Sequence, residues 1–255
     1  MNFKEKLVNK FNQLEISKAK CIFVANDMGN IGLIEQETKK SMLNSIYEAI
    51  IEINPKVTIV VPTPTIYLIG TDKVFDLNFT PSIKMGAFSE YIRKLKGSKR
   101  SFNALWSLSA IGPLAEKITQ NVSSHAYDKN SSFAKLFEIK DSYFLSIGNH
   151  PRFMLSIIHH FETIFNVPYR FTKGFEINCV NGDEKFKKTF YLEVLKEEVR
   201  YNKRSLNKKI FDNFESIENL LKTDLGKNYM YFFDLTKFYQ ITCDLFKKDI
   251  NCWWK

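Results

Sequence analysis

Cysteine and histidine are both scarce in this 255-residue chain, at four each. The cysteines, Cys21, Cys179, Cys243 and Cys252, stand far apart with no paired spacing. A zinc site needs clustered ligands and a small disulfide scaffold needs dense pairs, so the sequence fits neither class. Reduced thiols are expected, packed or idle, with Cys252 exposed in the terminal tail. Glycine (10) and proline (7) are too few and too scattered to form a linker, which argues for a single domain over residues 1–255. Long apolar runs are absent too. A stretch such as Ile59–Val61 falls far short of the ~20 residues that cross a bilayer. The N-terminal MNFKEKLVNKFNQLEI has no apolar segment after its lysines, so it reads as an amphipathic helix and not as a signal peptide. A cytoplasmic protein with no membrane span and no metal is expected.

What the chain has is apolar mass and positive charge. It is 44% hydrophobic with 23 Phe and 11 Tyr, enough to bury one large core. The net charge is +9, from 37 basic and 28 acidic side chains. Such a field attracts anionic ligands, phosphates among them; a solvated lysine-rich surface is the plainer reading. The basic residues are dispersed and no nucleic-acid-binding motif accompanies them, so nucleic acid is not the expected partner.

The apolar pattern alternates strands and helices. Lys20–Ala25 and Val57–Val61 have the β-branched runs of buried strands, and Glu35–Ile53 between them carries Met42, Leu43, Ile46, Ala49, Ile50 and Ile53 at helical spacing, with Pro55 as the stop. Strand, helix, strand is a right-handed crossover in a parallel sheet. Further on, the spacing predicts helices over Ile83–Leu95 and Phe153–Phe165, and strands around Trp106–Ile111 and over Tyr143–Ile147. Pro113 suits the first turn of another helix. The last third reads as two strands, Glu176–Val180 and Thr189–Val194, turning at Asn181-Gly182-Asp183, then helices over Lys208–Leu221 and Leu235–Lys247.

Chemistry-bearing residues concentrate in a few places. His159 and Glu162, three apart in LSIIHHFETIFNVPYR, share one helix face. A carboxylate so placed orients an imidazole for general-base work; packing of one histidine and solvation of the other is the bland alternative, and His160 stays open between the two. His150 and Arg152 follow a strand end, where α/β proteins place ligand-binding groups. His125 sits in a polar loop and reads as a surface residue. Backbone N–H groups in the turn Asn26-Asp27-Met28-Gly29 suit a phosphate, or Asn26 and Asp27 simply cap it. Trp106, Tyr127 and Phe153 offer stacking surfaces or core.

The order of motifs over residues 59–112 (the Pro-Thr doublet of IVVPTPTIYLIG, Phe75-Asp76, Thr80-Pro81-Ser82, Met85-Gly86, Arg100-Ser101-x-Asn103, then Ser107-x-x-Ala110-x-Gly112) resembles the aminoglycoside 3-N-acetyltransferase family. The resemblance runs from about Cys21 to Arg170. It implies an α/β fold with a mixed central β-sheet flanked by helices, distinct from the GNAT acetyltransferase fold. It also implies acyl transfer from coenzyme A to an amine on a sugar, without a metal. By its His-x-x-Glu helix followed by Val-Pro-Tyr-Arg, His159 falls on the family's catalytic histidine and Glu162 on its glutamate. Cofactor contacts are implied at Asn26, Asp27, Met28, Gly29, Arg100, Ser101 and Ser107. Substrate contacts are expected at Thr63, Thr65, Asp76, His150 and Arg152; the plainer alternatives are that Asp76 holds its own loop and that Thr63 and Thr65 cap the turn.

The chain also departs from the family. The usual Val-His-Ser-Ser is Val24-Ala25-Asn26-Asp27, and Arg-Ser-x-His-Pro is Arg100-Ser101-Phe102-Asn103-Ala104. The Asp-rich stretch that aminoglycoside-modifying members carry before the His helix is absent. With the basic charge, these departures favour a nucleotide-linked amino sugar as acceptor, and acetyl-CoA or 3-hydroxybutanoyl-CoA as donor, over an aminoglycoside. The expected role is a dTDP-amino-sugar N-acyltransferase for surface polysaccharide. The alternatives are an aminoglycoside resistance enzyme and an inactive relative that binds coenzyme A or a nucleotide.

Overall fold

A computed structural model describes residues 1–32, 37–151, 156–200 and 220–253. The chain opens with α1 (Phe3–Gln13), closed at its start by a capping box between Asn2 and Glu5, with Phe3, Leu7 and Phe11 buried on one face. Strand β1 (Cys21–Asn26) is buried at every position. A single turn, α2 (Met28–Ile31), follows, and then α3 (Lys39–Ile53), capped by Thr38. The predicted start at Glu35 lies outside the described residues. Strand β2 (Thr58–Pro62) completes the crossover, pairing parallel to β1 as the sequence pattern requires.

Next come β3 (Val74–Asp76), α4 (Ala87–Lys94), β4 (Lys99–Arg100), β5 (Leu108–Ile111), α5 (Ala115–Thr119), α6 (Ser132–Phe137) and β6 (Ser142–Ile147). Helix α4 starts later than its apolar spacing suggests because Gly86 stands at its N-cap with φ +84°. Helix α7 (Ile158–Ile164) covers the predicted His helix in part, since residues 152–155 are not described. A long hairpin, β7 (Arg170–Asn181) and β8 (Glu184–Leu195), is followed by α8 (Glu197–Arg200), β9 (Leu221–Leu225), β10 (Asn228–Asp234) and α9 (Leu235–Lys248). Leu221 therefore opens a strand instead of ending the helix expected over Lys208–Leu221; the rest of that prediction, residues 208–219, lies outside the described residues.

Among the described residues the main sheet has seven strands in the order β4-β5-β2-β1-β6-β10-β9, and a second sheet has the order β3-β7-β8. Strands β2, β1 and β6 run parallel, whereas β5 and β10 pair antiparallel on either side of them. The mixed sheet expected from the sequence is thus present. Side chains alternate between two cores. Ile22, Val24, Ile59 and Val61 face α1, α3 and α4, while Phe23, Val60 and Phe144 face α5, α6, α7 and α9. Cross-strand stacks of Phe144 on Phe233 at 4.8 Å and Tyr143 on Phe232 at 4.7 Å hold β10 to β6, each adding ~0.5–1.5 kcal/mol beyond its buried area. Cys252 corrects an expectation: it is 2% exposed and packs into the second of these cores.

The chain leaves β1 for β2 on one side and later returns to β6 on the other, so the strand order reverses at the β1–β6 junction. Crevices open at the carboxyl ends of strands at such a point. The junction is closed tightly: Asp27 N donates to Ile147 O at 2.8 Å. Gly148 has φ +84°, and a Cβ there would lie 2.2 Å from the Asp27 carbonyl oxygen.

Candidate active site

Helix α7 carries His159 and Glu162 on one face, and the hairpin strand β7 returns beside it. His159 Nδ1 lies 2.5 Å from Glu162 Oε2, with the carboxylate side chain fully buried and the imidazole 27% exposed. Arg170 Nε reaches the same oxygen at 2.8 Å. Burial alone would raise the Glu162 carboxyl, but His159 and Arg170 outweigh it and hold the group below its ordinary range. An ionised carboxylate only accepts, so His159 donates from Nδ1, and in the neutral imidazole Nε2 is then the lone-pair nitrogen. That is the tautomer a general base requires. Burial, and then the Glu162 carboxylate nearby, push the Tyr169 phenol up.

Tyr127 forms the wall beside this pair. Its ring meets the His159 ring edge-on at 5.3 Å. His160, which the sequence left open, is 3% exposed and its Nδ1 donates to Tyr127 O at 2.8 Å, so it is an interior histidine. Burial pulls its pKa down. His125 is not the surface residue its polar loop suggested. Its Nδ1 accepts from Tyr127 N at 3.1 Å, while Nε2 stands 3.4 Å from Glu193 Oε1 with its side chain 12% exposed.

A separate cleft of about 770 Å³ opens at the carboxyl ends of β1 and β2. Asn26, Asp27, Met28 and Gly29 line it, together with Lys39, Met42, Lys84, Met85, Gly86 and Asn149. The turn after the first strand therefore borders a cavity of ligand size. Within it Asn26 is a structural cap: its Oδ1 accepts from Phe88 N at 3.2 Å and its Nδ2 donates to Ser89 Oγ at 3.3 Å. Asp27 accepts from Asn30 Nδ2 at 2.9 Å. Gly86 is tied to the same place, since a Cβ there would sit 2.4 Å from Asn26 O.

Arg100, Ser101, Ser107, Thr63 and Thr65 come together elsewhere, in a buried knot just beyond Pro62. Arg100 spends Nε on Ser107 Oγ (2.9 Å), Nη1 on Thr80 O (2.6 Å) and Nη2 on Thr63 O (2.7 Å), and its guanidinium lies over the Phe75 ring. Ser107 Oγ donates to Thr63 O at 2.6 Å, Ser101 Oγ accepts from Leu108 N at 2.9 Å, and Thr65 Oγ1 donates to Ala104 O. These contacts brace the loop after β2; none of the five residues lines the cleft. Asp76 closes its own turn, accepting from Asn78 N (2.7 Å) and Phe79 N (2.9 Å). His150 follows the cleft residue Asn149 and packs edge-on against Tyr231 at 5.0 Å. Arg152 lies outside the described residues. Asn103, at the position where the resemblance expects histidine, accepts from Trp106 N at 2.9 Å and so fixes the turn that delivers Trp106 beside Tyr127.

Arg170 is the partner that sequence reasoning did not assign. It lies eight residues after Glu162 and on a different element, so no helical spacing pointed to it.

The profile of the aminoglycoside 3-N-acetyltransferase family matches residues 23–247. The chain belongs to that family. No curated protein sequence matches it. Solved structures of similar fold include YokD from Bacillus subtilis, at 20% identity and TM-score 0.78, covering 97% of this chain and 94% of YokD. AAC-IIIb in a binary complex with CoASH has 18% identity and TM-score 0.79, covering 97% of each chain. Sisomicin-bound AAC-VIa has 16% identity and TM-score 0.81, with 96% of this chain and 97% of that one covered. At these identities the likeness carries the fold. Family membership carries the reaction type, N-acyl transfer.

Among the described residues no group of three His, Cys, Asp or Glu side chains is placed to hold a metal ion, and no helix is long and apolar enough to cross a membrane.

Proposed function

We propose that this aminoglycoside 3-N-acetyltransferase-family chain moves an acyl group from a coenzyme A thioester to the amino group of a nucleotide-linked amino sugar, with His159 as the general base. The contact between His159 Nδ1 and Glu162 Oε2, at 2.5 Å, carries this reading. It leaves Nε2 free to take a proton from an incoming amine, and Arg170 on the same oxygen keeps Glu162 anionic so that the imidazole stays oriented. Direct attack needs a base, a held thioester and no covalent enzyme intermediate.

The cleft fits the donor. Lys39 and Lys84 supply cations for phosphates, and Met28, Met42 and Ala87 an apolar wall for the pantetheine chain. AAC-IIIb, of similar fold, is described with CoASH. When bound, the thioester supplies the activated acyl group; Asn26–Gly29 and Gly86 shape its seat, and His159 with Glu162 handles the proton. The net charge of +9 favours an anionic acceptor over a polycation. An aminoglycoside acceptor has support of its own, because AAC-VIa is described with sisomicin bound.

The test is thiol release from acetyl-CoA and 3-hydroxybutanoyl-CoA, each with a dTDP-linked 3-amino-3,6-dideoxyhexose and with sisomicin. Turnover with the nucleotide sugar alone supports the proposal. Turnover with sisomicin alone overturns the acceptor assignment and leaves the base assignment standing. No turnover with either favours an inactive relative.

A further inference from the structure

We propose that the Tyr127 hydroxyl is a catalytic hydrogen-bond donor, holding the oxyanion that develops on the acyl group when transfer takes place at His159. This rests on the N-acyl-transfer reading above and adds a residue to it. Tyr127 is 1% exposed, and its hydroxyl is buried with no hydrogen-bond partner among the described residues. A buried donor left unpaired is costly to a fold, and native structures keep few of them. Packing alone asks for phenylalanine here, as at the neighbouring Phe133, whose ring lies 5.1 Å away.

The position of the phenol points to the reaction. Its ring contacts the His159 ring at 5.3 Å, and both Glu162 and Arg170 act on it electrostatically. The backbone is gripped on both sides, since Tyr127 N donates to His125 Nδ1 at 3.1 Å and Tyr127 O accepts from His160 Nδ1 at 2.8 Å. Two histidines thus fix the segment that aims the ring. Burial keeps the phenol protonated, so it is a donor at any working pH. The Trp106 indole N–H, on a ring 5.8 Å from Tyr127, is also buried with no partner among the described residues and is the second donor on this wall.

In the reaction the amine lone pair forms the C–N bond to the thioester carbon, and the carbonyl π pair moves onto oxygen. Tyr127 Oη donates a hydrogen bond to that oxygen without giving up its proton, while His159 Nε2 takes the proton from nitrogen. The C–S bond then breaks, the oxygen pair re-forms the carbonyl, and the thiolate leaves with the bonding pair to be protonated from His159. Hydrogen bonds of this kind often close in the substrate complex, which agrees with a hydroxyl that has no hydrogen-bond partner among the described residues.

The experiment is Tyr127→Phe in the full-length protein, assayed with acetyl-CoA and whichever of the dTDP-amino sugar and sisomicin the wild type accepts, beside thermal melts. The expected result is a kcat lower by roughly 10²–10³-fold, as for the loss of one oxyanion donor, with KM within about 2-fold. The melting temperature should stay the same or rise, because the hydroxyl has no hydrogen-bond partner among the described residues. Unchanged kcat overturns the proposal. So does a fall in melting temperature that accounts for the lost activity, which would make the hydroxyl structural. A displaced pH–rate profile with an unchanged plateau also overturns it, since the hydroxyl would then act through Glu162. If the wild type turns over neither acceptor, the functional reading fails and this inference falls with it.

Discussion

Glu162→Gln removes one charge while keeping the shape of the side chain, and its effect follows from what that charge holds. Glu162 is fully buried, and its Oε2 takes both His159 Nδ1 and Arg170 Nε, the latter on a side chain only 9% exposed. Breaking a buried ion pair by removing one partner costs ~3–5 kcal/mol, because the other charge stays buried. Arg170 keeps its bond to Glu193 O at 3.1 Å and some attraction to the Glu193 carboxylate, which places the cost near the lower end, ~3 kcal/mol. For a domain of this size that is a drop of roughly 6–12 °C in melting temperature. The pH dependence has a definite sign. His159 and Arg170 hold the folded-state carboxyl below its ordinary 4.5. Its contribution is therefore present in full above that pH and is lost as pH falls through the folded value. Thermal melts of wild type and variant from pH 3.5 to 7 test both parts. The variant should melt lower at neutral pH, and the gap should narrow as the solution is acidified. A difference below about 2 °C at pH 7, or a gap that widens with acid, would refute the electrostatic account of this cluster.

Burial holds His160 below its ordinary 6.5, so the unfolded chain binds the proton first and stability falls as pH drops below that value. His160→Asn, which keeps a donor for Tyr127 O, should flatten the stability curve below about pH 6.5 in urea titrations; an unchanged slope contradicts this. Gly86→Ala should destabilise by more than the ~1–2 kcal/mol of a left-handed residue, since its Cβ would also lie 2.2 Å from Asn26 Oδ1 at φ +84°. The same variant should raise the KM for acetyl-CoA, and a change in stability under ~0.5 kcal/mol would show that the close approach is relieved elsewhere.

The parallel heart of the fold was legible because its signals are local. Strands β1, β2 and β6 are mainly apolar and carry the central apolar stretches Cys21–Ala25, Ile59–Val61 and Tyr143–Leu145, and α3 has Thr38 before it and Pro55 behind it. The Asn-Gly-Asp turn marked the β7–β8 hairpin, though its strands run longer than their apolar centres. What escaped notice depends on distant pairing. Strand β3 has three residues and exists by lying beside β7. Strands β9 and β10 form a hairpin around Gly226 that local spacing does not mark, although Met230–Phe233 is a buried run.

The candidate site divides in the same way. His159 and Glu162 share a helix face and could be paired from spacing. Arg170 joins them from another element, and Tyr127 and His160 meet across 33 residues. Arg100 and Thr63 drew attention as polar residues in a motif, yet their hydrogen bonds run inward to backbone carbonyls and to each other. Sequence spacing shows which residue types stand near one another; it does not show which way they point.

The most direct test of the central claim is the turnover of His159→Asn with the accepted donor and acceptor. The account predicts a folded protein whose kcat is lower by roughly 10²–10⁴-fold, the range for losing a positioned base. Near-normal turnover in that variant would contradict it.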